Sequence, residues 1–541
     1  MFPNALAQRL AESYLRNPLS QLQQLCTKSS WSLPDITAVL QTLENKRRQL
    51  VASEESIETE LLHTFLTEAE RRTKVEVLQL ANQLRTIQAD LQATTERRNS
   101  LRQLEASEVG DSGPPSKRSR LADEVPEPTE SAAVADGSQP RNPSGPIALS
   151  GSAAFTSLVS AVQKPAYMKS LAQRKNRVYT EFPDLLQHYF DAHRRTPGRA
   201  VNRFSTSLSM FTRYDTANVL TTLRYGDADN FSSIISSIEF DKDEKVFSTA
   251  GVQKKIKIFD FETFANTTYV DVHYPVLEIT LEHKISSQSW NPFMQSVLAV
   301  SDYSGAVGLW DVNTGQNLRI FQEHEKRAWT VDFAQTDPTR LASGSDDSRV
   351  LIWSTTAAQS MLNITTPSNV CTVKFNPVNS NEILAGSADH SVYLFDLRNT
   401  KQPARVFQSH SKAVSYVKFL NSSDFVTAST DSTLKLWNVN NGQLLRTFSG
   451  HTNERNFVGL TTNSQFIACG SEKNAVVVYY KSISHPAIEH RFDYEGAPPQ
   501  NDQDTSRFVC AVCFRGQSNL LLCANSIGTL RLIELAQSSA S

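Results

Sequence analysis

No apolar run in the chain approaches the roughly 20 residues that a membrane-crossing helix needs, and Met1-Phe2-Pro3-Asn4 does not open a secretory signal. Cysteine is scarce, with 6 in 541 residues. That excludes a disulfide framework and suits the reduced thiols of a cytosolic or nuclear protein. Neither charge sign dominates: 54 Lys and Arg stand against 56 Asp and Glu, for a net charge of −2. Such a balance lays down no electrostatic footprint for nucleic acid or a membrane surface, and neither is expected as a partner. There is no nucleophile elbow, phosphate-cradling glycine loop or paired metal motif. Cys510-Ala511-Val512-Cys513 has metal-ligand spacing, but no second pair or histidine lies nearby. In the strand-like run Phe508 to Phe514 its thiols point to opposite faces, which makes them core packing rather than a zinc site. No cofactor is expected.

Glycine and proline are absent from Ile36 to Leu101. Ahead of that stretch, residues 1–30 read as a helical lead-in, and Ser32 and Pro34 mark a helix start. Val77, Leu80, Leu84, Ile87 and Leu91 then step by three and four, as a heptad seam does. Leu61, Leu62, Phe65 and Leu66 break the register of the earlier heptad positions, as a stutter would. Residues 31–104 are therefore expected to form a coiled coil that self-associates, since so long a seam has no neighbour in the chain to bury it. Residues 105–164 lack aromatics before Phe155 and are rich in Ser, Pro, Gly, Ala and acid. That composition predicts a disordered linker. Within it, Pro115-Ser116-Lys117-Arg118-Ser119-Arg120 fits a nuclear import signal and equally an ordinary solvated patch. Residues 165–204 read as a basic helical segment.

The rest of the chain, 205–537, is organised by repetition. Trp310, Trp353, Phe395, Trp437 and Tyr479 each close an apolar strand and lie 43, 42, 42 and 42 residues apart. This period, with its Trp-Asp endings, is the signature of a β-propeller with one four-stranded blade per repeat. Phe259 and Leu532 extend the count to seven blades. The intervals flanking them are longer, which places insertions at Phe264 to Tyr274 and Ile483 to Arg507. The strand Val219 to Leu223 is expected to complete the last blade and so close the ring. The fold class is thus an all-β seven-bladed WD-repeat propeller, preceded by an α-helical coiled coil and a disordered linker.

Asp347, Asp389 and Asp431 each precede a closing aromatic by six residues, and His324, His410 and His451 precede blades. Aspartate can bind turn amides, and a buried histidine can bridge it to a strand hydroxyl. A constellation repeated blade after blade is scaffold, because a catalytic site is a single asymmetric place.

The blade sequences Ser236-Ser237-Ile238-Glu239-Phe240-Asp241, Glu323-His324-Glu325-Lys326-Arg327-Ala328-Trp329, Gly344-Ser345-Asp346-Asp347, Lys412 to Phe419 and Thr452 to Leu460 resemble the constitutive photomorphogenic ubiquitin ligase family of plants and animals. The likeness runs from about Leu208 to Leu535 and more weakly through Arg174–Phe190 and Leu33–Leu104. Val272-His273-Tyr274-Pro275 and Arg398 to Pro403 look more like the animal branch. The resemblance implies a RING finger, a coiled coil and a propeller that grips short acidic Val-Pro peptides. Such peptides occur in transcription factors and in Tribbles-like adaptors.

Carried over by motif, the implied peptide pocket comprises Lys284, Tyr303, Arg327, Trp329, Lys412, Glu454 and Phe457. Trp329 and Phe457 offer an apolar floor, the three cations suit acidic flanks, and Tyr303 brings a hydroxyl. No set of paired Cys and His ligands precedes Trp31, so the family's zinc-binding RING finger is not seen. Either the sequence is truncated or the protein lacks its own docking site for the charged ubiquitin carrier. No intrinsic ligase activity is expected without a RING partner. Phe395-Asp396-Leu397-Arg398 resembles the Trp-Asp-x-Arg box that docks on cullin ligase adaptors. The resemblance implies a substrate-recognition scaffold of the nucleus and cytoplasm; the alternative is a non-degradative interaction scaffold on the same fold.

Overall fold

The computed structural model describes residues 55–79, scattered positions from 81 to 99, and residues 170–195, 200–224, 234–266, 273–492 and 507–538. The lead-in, the basic cluster at 115–120 and the expected linker lie outside the described residues.

Seven antiparallel sheets of four strands make the ring. Blade 1 runs from Ile235–Phe240 to Leu277–Thr280, blade 2 from Ile285–Trp290 to Gln316–Phe321, and blade 3 from Ala328–Phe333 to Leu362–Thr365. Blade 4 runs from Val370–Phe375 to Arg405–Gln408, blade 5 from Val414–Phe419 to Leu444–Phe448, and blade 6 from Leu460–Thr462 to Pro486–Arg491. Blade 7 takes its three inner strands from Val509–Phe514, Leu520–Asn525 and Thr529–Ala536. Its outer strand is Thr216–Arg224, paired antiparallel with Thr529–Ala536 from Thr216 opposite Ala536 to Arg224 opposite Thr529. The expected closure is present.

The repeated aromatics do not end their blades. Trp310, Trp353, Phe395, Trp437 and Tyr479 lie on third strands, and an outer fourth strand follows each one. The third strand is covered on both faces, so it holds the large rings. Outer strands such as Leu362–Thr365 and Arg405–Gln408 bury only one side chain each and give a weaker pattern. For the same reason the stretch Ile483 to Arg507 is not wholly an insertion: Pro486–Arg491 is blade 6's outer strand.

Apolar contacts run between neighbouring blades. Val297, Ala299 and Leu309 of blade 2 share a buried cluster with Val331, Phe333, Leu351 and Trp353 of blade 3. At blades 3 and 5 the polar repeat forms a continuous proton ladder. His324 donates through Nδ1 to Asp347 (2.8 Å) and accepts through Nε2 from Ser343 (2.7 Å), while Trp353 Nε1 donates to the same hydroxyl (2.8 Å). His410, Asp431, Thr427 and Trp437 repeat it. Asp389 departs from the plan: its carboxylate accepts from Tyr393 Oη at 2.7 Å. His451 bonds Tyr479 Oη at 2.9 Å.

The propeller begins later than position 205. Ala200–Arg213 is a helix, with Phe204, Leu208 and Phe211 buried at helical spacing. Its run of serines and threonines has weak helix propensity and reads as strand, whereas burial of one face decides for helix. The helical segment ahead of it resolves into residues 170–180 and Phe182–Arg195. It packs on the propeller: Asp184 pairs with Arg446 at 3.2 Å and accepts the Ser484 N–H at 2.6 Å. The Arg177 guanidinium lies 4.6 Å over the ring of Phe211.

The expected coiled-coil region contains a continuous helix over residues 55–79. Ile57 and Leu61 on its first turns are buried, and Glu60 pairs with Lys175 at 2.7 Å. This end of the helix is therefore held within the chain, contrary to a seam wholly free of intramolecular neighbours. Farther along, Val77 and Leu84 of the heptad seam are exposed.

Candidate functional site

The strand order fixes where the site lies. Each innermost strand runs from the loop that enters its blade toward the opposite face. The entering loops and the turns between second and third strands therefore share one end of the ring. Lys284, Arg327, Lys412, Glu454 and Phe457 precede innermost strands, and Tyr303 follows the second strand of blade 2. All six stand on that end, with Trp329 one residue inside blade 3.

Four of the seven residues come together. The ring of Tyr303 is 5.6 Å from that of Trp329, and Trp329 is 5.1 Å from Phe457. The Arg327 guanidinium carbon lies 5.3 Å from the Tyr303 ring centre and 5.2 Å from that of Trp329. Such stacking holds a cation over π faces while leaving N–H groups free to meet a carboxylate. Burial pushes the Tyr303 hydroxyl pKa up, opposed by the charge of Arg327, so the group stays a proton donor. Trp329 is half-buried rather than exposed.

Lys284, Lys412 and Glu454 are exposed on the surrounding loops. Among the described residues, Lys284 is tied to the cluster through its carbonyl, which accepts the Tyr303 N–H at 2.9 Å.

Three supporting residues escaped sequence reasoning. Asp346 accepts the Trp329 Nε1–H at 2.8 Å and forms an ion pair with Arg327 (Nε at 3.2 Å), and Asn369 Nδ2 donates to it at 3.1 Å. Glu472 is buried, and its carboxylate accepts the backbone N–H groups of Glu454 (3.1 Å), Arg455 (2.8 Å) and Asn456 (2.7 Å). That grip shapes the loop carrying Phe457. Tyr416 of blade 5 reaches Phe457 with ring centres 6.4 Å apart. The doubled acid in Asp346-Asp347 was one available signal: Asp347 serves the scaffold, which frees Asp346 for the site.

Gly305 sets the Tyr303 turn against its neighbour. Its φ is +94°, and a Cβ there would stand 2.5 Å from the Lys326 carbonyl oxygen. Only glycine permits both the conformation and the approach. Beneath the aromatic mouth a cavity of about 400 Å³ continues down the ring's axis.

The WD domain, G-beta repeat family matches residues 315–354, and a propeller family described as Nucleolar protein 10-like, N-terminal domain, matches residues 361–487. The chain is 44% identical over 385 residues to E3 ubiquitin-protein ligase COP1 of Arabidopsis thaliana, covering 67% of this chain and 56% of that one. The chain belongs to the COP1 family of WD-repeat proteins. Within the same plant, Protein SUPPRESSOR OF PHYA-105 1 is 44% identical over 342 residues, covering 61% of this chain and 33% of its own. WD repeat-containing protein RUP2 is 34% identical over 307 residues, covering 52% of this chain and 82% of its own. The chain thus spans little more than half of the COP1 ligase's length. In this family member the Phe395-Asp396-Leu397-Arg398 stretch presents Arg398 outward. Asp396 holds its guanidinium at 2.9 Å through Nε and 2.6 Å through the terminal nitrogen.

Proposed function

We propose that the propeller is the substrate-recognition scaffold of a ubiquitin ligase and grips short acidic peptides carrying a Val-Pro pair. The observation that carries this reading is the aromatic mouth of Tyr303, Trp329 and Phe457 with Arg327 stacked on two of the rings. Val-Pro is compact, apolar and conformationally restricted, so it packs on aromatic faces at low entropic cost. Acidic flanks then meet Arg327, Lys284 and Lys412. Transcription factors and Tribbles-like adaptors bearing such motifs are the proposed partners, in the nucleus and cytoplasm. Transfer of ubiquitin, and so proteasomal degradation, requires a RING finger, of this protein or of a partner. Self-association through the helical region would multiply the peptide sites.

Calorimetric titration of a Val-Pro peptide with acidic flanks tests the reading, with an Ala-Ala replacement as control. Binding that is lost in the control supports it; equal binding of both sinks it. Target half-lives on depletion separate a degradative role from a plain scaffold. The outward Arg398 favours a second docking edge, for a cullin ligase adaptor, tested by pull-down with Arg398→Ala.

A further inference from the structure

The innermost strands share a plan at their far ends. The penultimate side chains Glu239, Ser289, Asp332 and Thr461 each accept a backbone N–H from the next blade. The donors are Trp290 (3.3 Å), Phe333 (3.1 Å), Phe375 (2.8 Å) and Phe514 (3.2 Å). On blades 4 and 5 that position is lysine: Lys374 and Lys418. An ammonium accepts nothing, so these two cannot join the inter-blade ladder. Both line the axial cavity, as does Glu239.

Lys374 has a partner, since its ammonium pairs with Asp332. Lys418 has none: among the described residues no hydrogen bond or ion pair falls on its ammonium. The charged and titratable groups facing it are Lys374, Glu239, Asp332 and Cys513, from blades 4, 1, 3 and 7. Asp332 is taken by Lys374 and by the Phe375 N–H, and Glu239 by the Trp290 N–H. A partly buried cation set beside a second cation is costly until a counter-charge joins it.

We propose that the axial channel binds a small free oxyanion, a carboxylate or phosphate group, on Lys418. Tyr416, two residues earlier on the same strand face, lines the same cavity. Its hydroxyl is a second donor above the ammonium. The rings of Tyr303, Trp329 and Phe457 line the same cavity, but Lys418 is not among the residues of that mouth.

The neighbouring acid makes binding pH-dependent. Burial raises the Glu239 carboxyl to about 7, with Lys374 and Lys418 opposing. The same acid is also faced by Asp332 and Cys513. Below that value Glu239 is neutral and the channel carries net positive charge; above it, Glu239 competes with the anion for Lys418.

The test is titration of the full chain with inorganic sulfate, whose charge is constant across the range, at fixed ionic strength. One saturable site is expected, tighter at about pH 6 than at about pH 8. Lys418→Met should weaken it at least about ten-fold while leaving Val-Pro peptide affinity unchanged. Glu239→Gln should flatten the pH dependence. Absence of saturable binding to the folded wild-type chain overturns the proposal. So does equal sulfate affinity in the folded Lys418→Met variant, or a loss confined to peptide binding, which would mean that an acidic peptide side chain reaches Lys418 instead.

Discussion

Trp329 of blade 3 and Phe457, on the loop entering blade 6, stand with ring centres 5.1 Å apart, so their contact crosses the mouth of the ring instead of following its wall. Three blade steps separate their strands. The two rings and Tyr303 form a floor that spans the channel, and no single blade owns it.

Trp329→Ala should weaken a Val-Pro peptide by at least about ten-fold, about 1.4 kcal/mol. The ring is half-buried and held by Asp346, so its loss removes the floor without opening the blade core. Titration calorimetry with a melting curve on the same sample checks both halves. Unchanged affinity excludes the assignment.

Glu472→Gln should loosen the loop that carries Phe457. The carboxylate accepts three successive backbone N–H groups, and an amide has one oxygen to offer them. Hydrogen exchange at Glu454 to Asn456 should accelerate, with peptide affinity reduced about three- to ten-fold. Unaltered exchange in the variant would remove Glu472 from its positioning role.

Three aspartates at equivalent repeat positions should differ in cost. Asp431 serves His410, the Ser411 and Thr433 amides and the Thr433 hydroxyl; His410 is drawn into the ladder and buried. Asp431→Ala and Asp347→Ala should each cost about 2–3 kcal/mol, since a buried histidine loses its acceptor. Asp389→Ala should cost less, because Asp389 bonds the Tyr393 hydroxyl and the Ser391 amide and orients no histidine. Chemical denaturation ranks the three, and an equal ranking would contradict the ladder argument.

His451 predicts an acid limit. Burial pulls its pKa down to about 4, with Asp431 opposing. The unfolded chain binds the proton near the ordinary value of about 6.5. The folded pKa is the lower one, so the unfolded state holds more protons between the two values. Stability from this site is full above about pH 6.5 and is lost as pH falls toward 4. His451→Gln should flatten the melting temperature's slope over that window, measured against wild type in matched buffers.

The sequence made the ring legible because its information is local and periodic. A third-strand aromatic every 42 residues needs no knowledge of what lies across the channel. The site was half legible. Arg327-Ala328-Trp329 is one short string, but Asp346, Tyr416 and Glu472 reach it only after the ring closes. Residues 205–213, expected in the propeller, belong to helix Ala200–Arg213, whose buried face, Phe204, Leu208 and Phe211, is thinly spread among serines and threonines. The blade ends were misplaced by one strand wherever the outermost strand buries a single residue.

The seam in blade 7 sets a condition on biosynthesis. Thr216 emerges from the ribosome before the 320 residues that lead to its partner Ala536. At about 5–20 residues per second, six blades are made while that strand waits, for roughly tens of seconds. Leu223, buried only when the strand is latched, stays uncovered throughout. A stop codon at Thr529 would leave the same strand permanently unlatched, so the last few codons of the ring decide whether the first ones are ever sheltered.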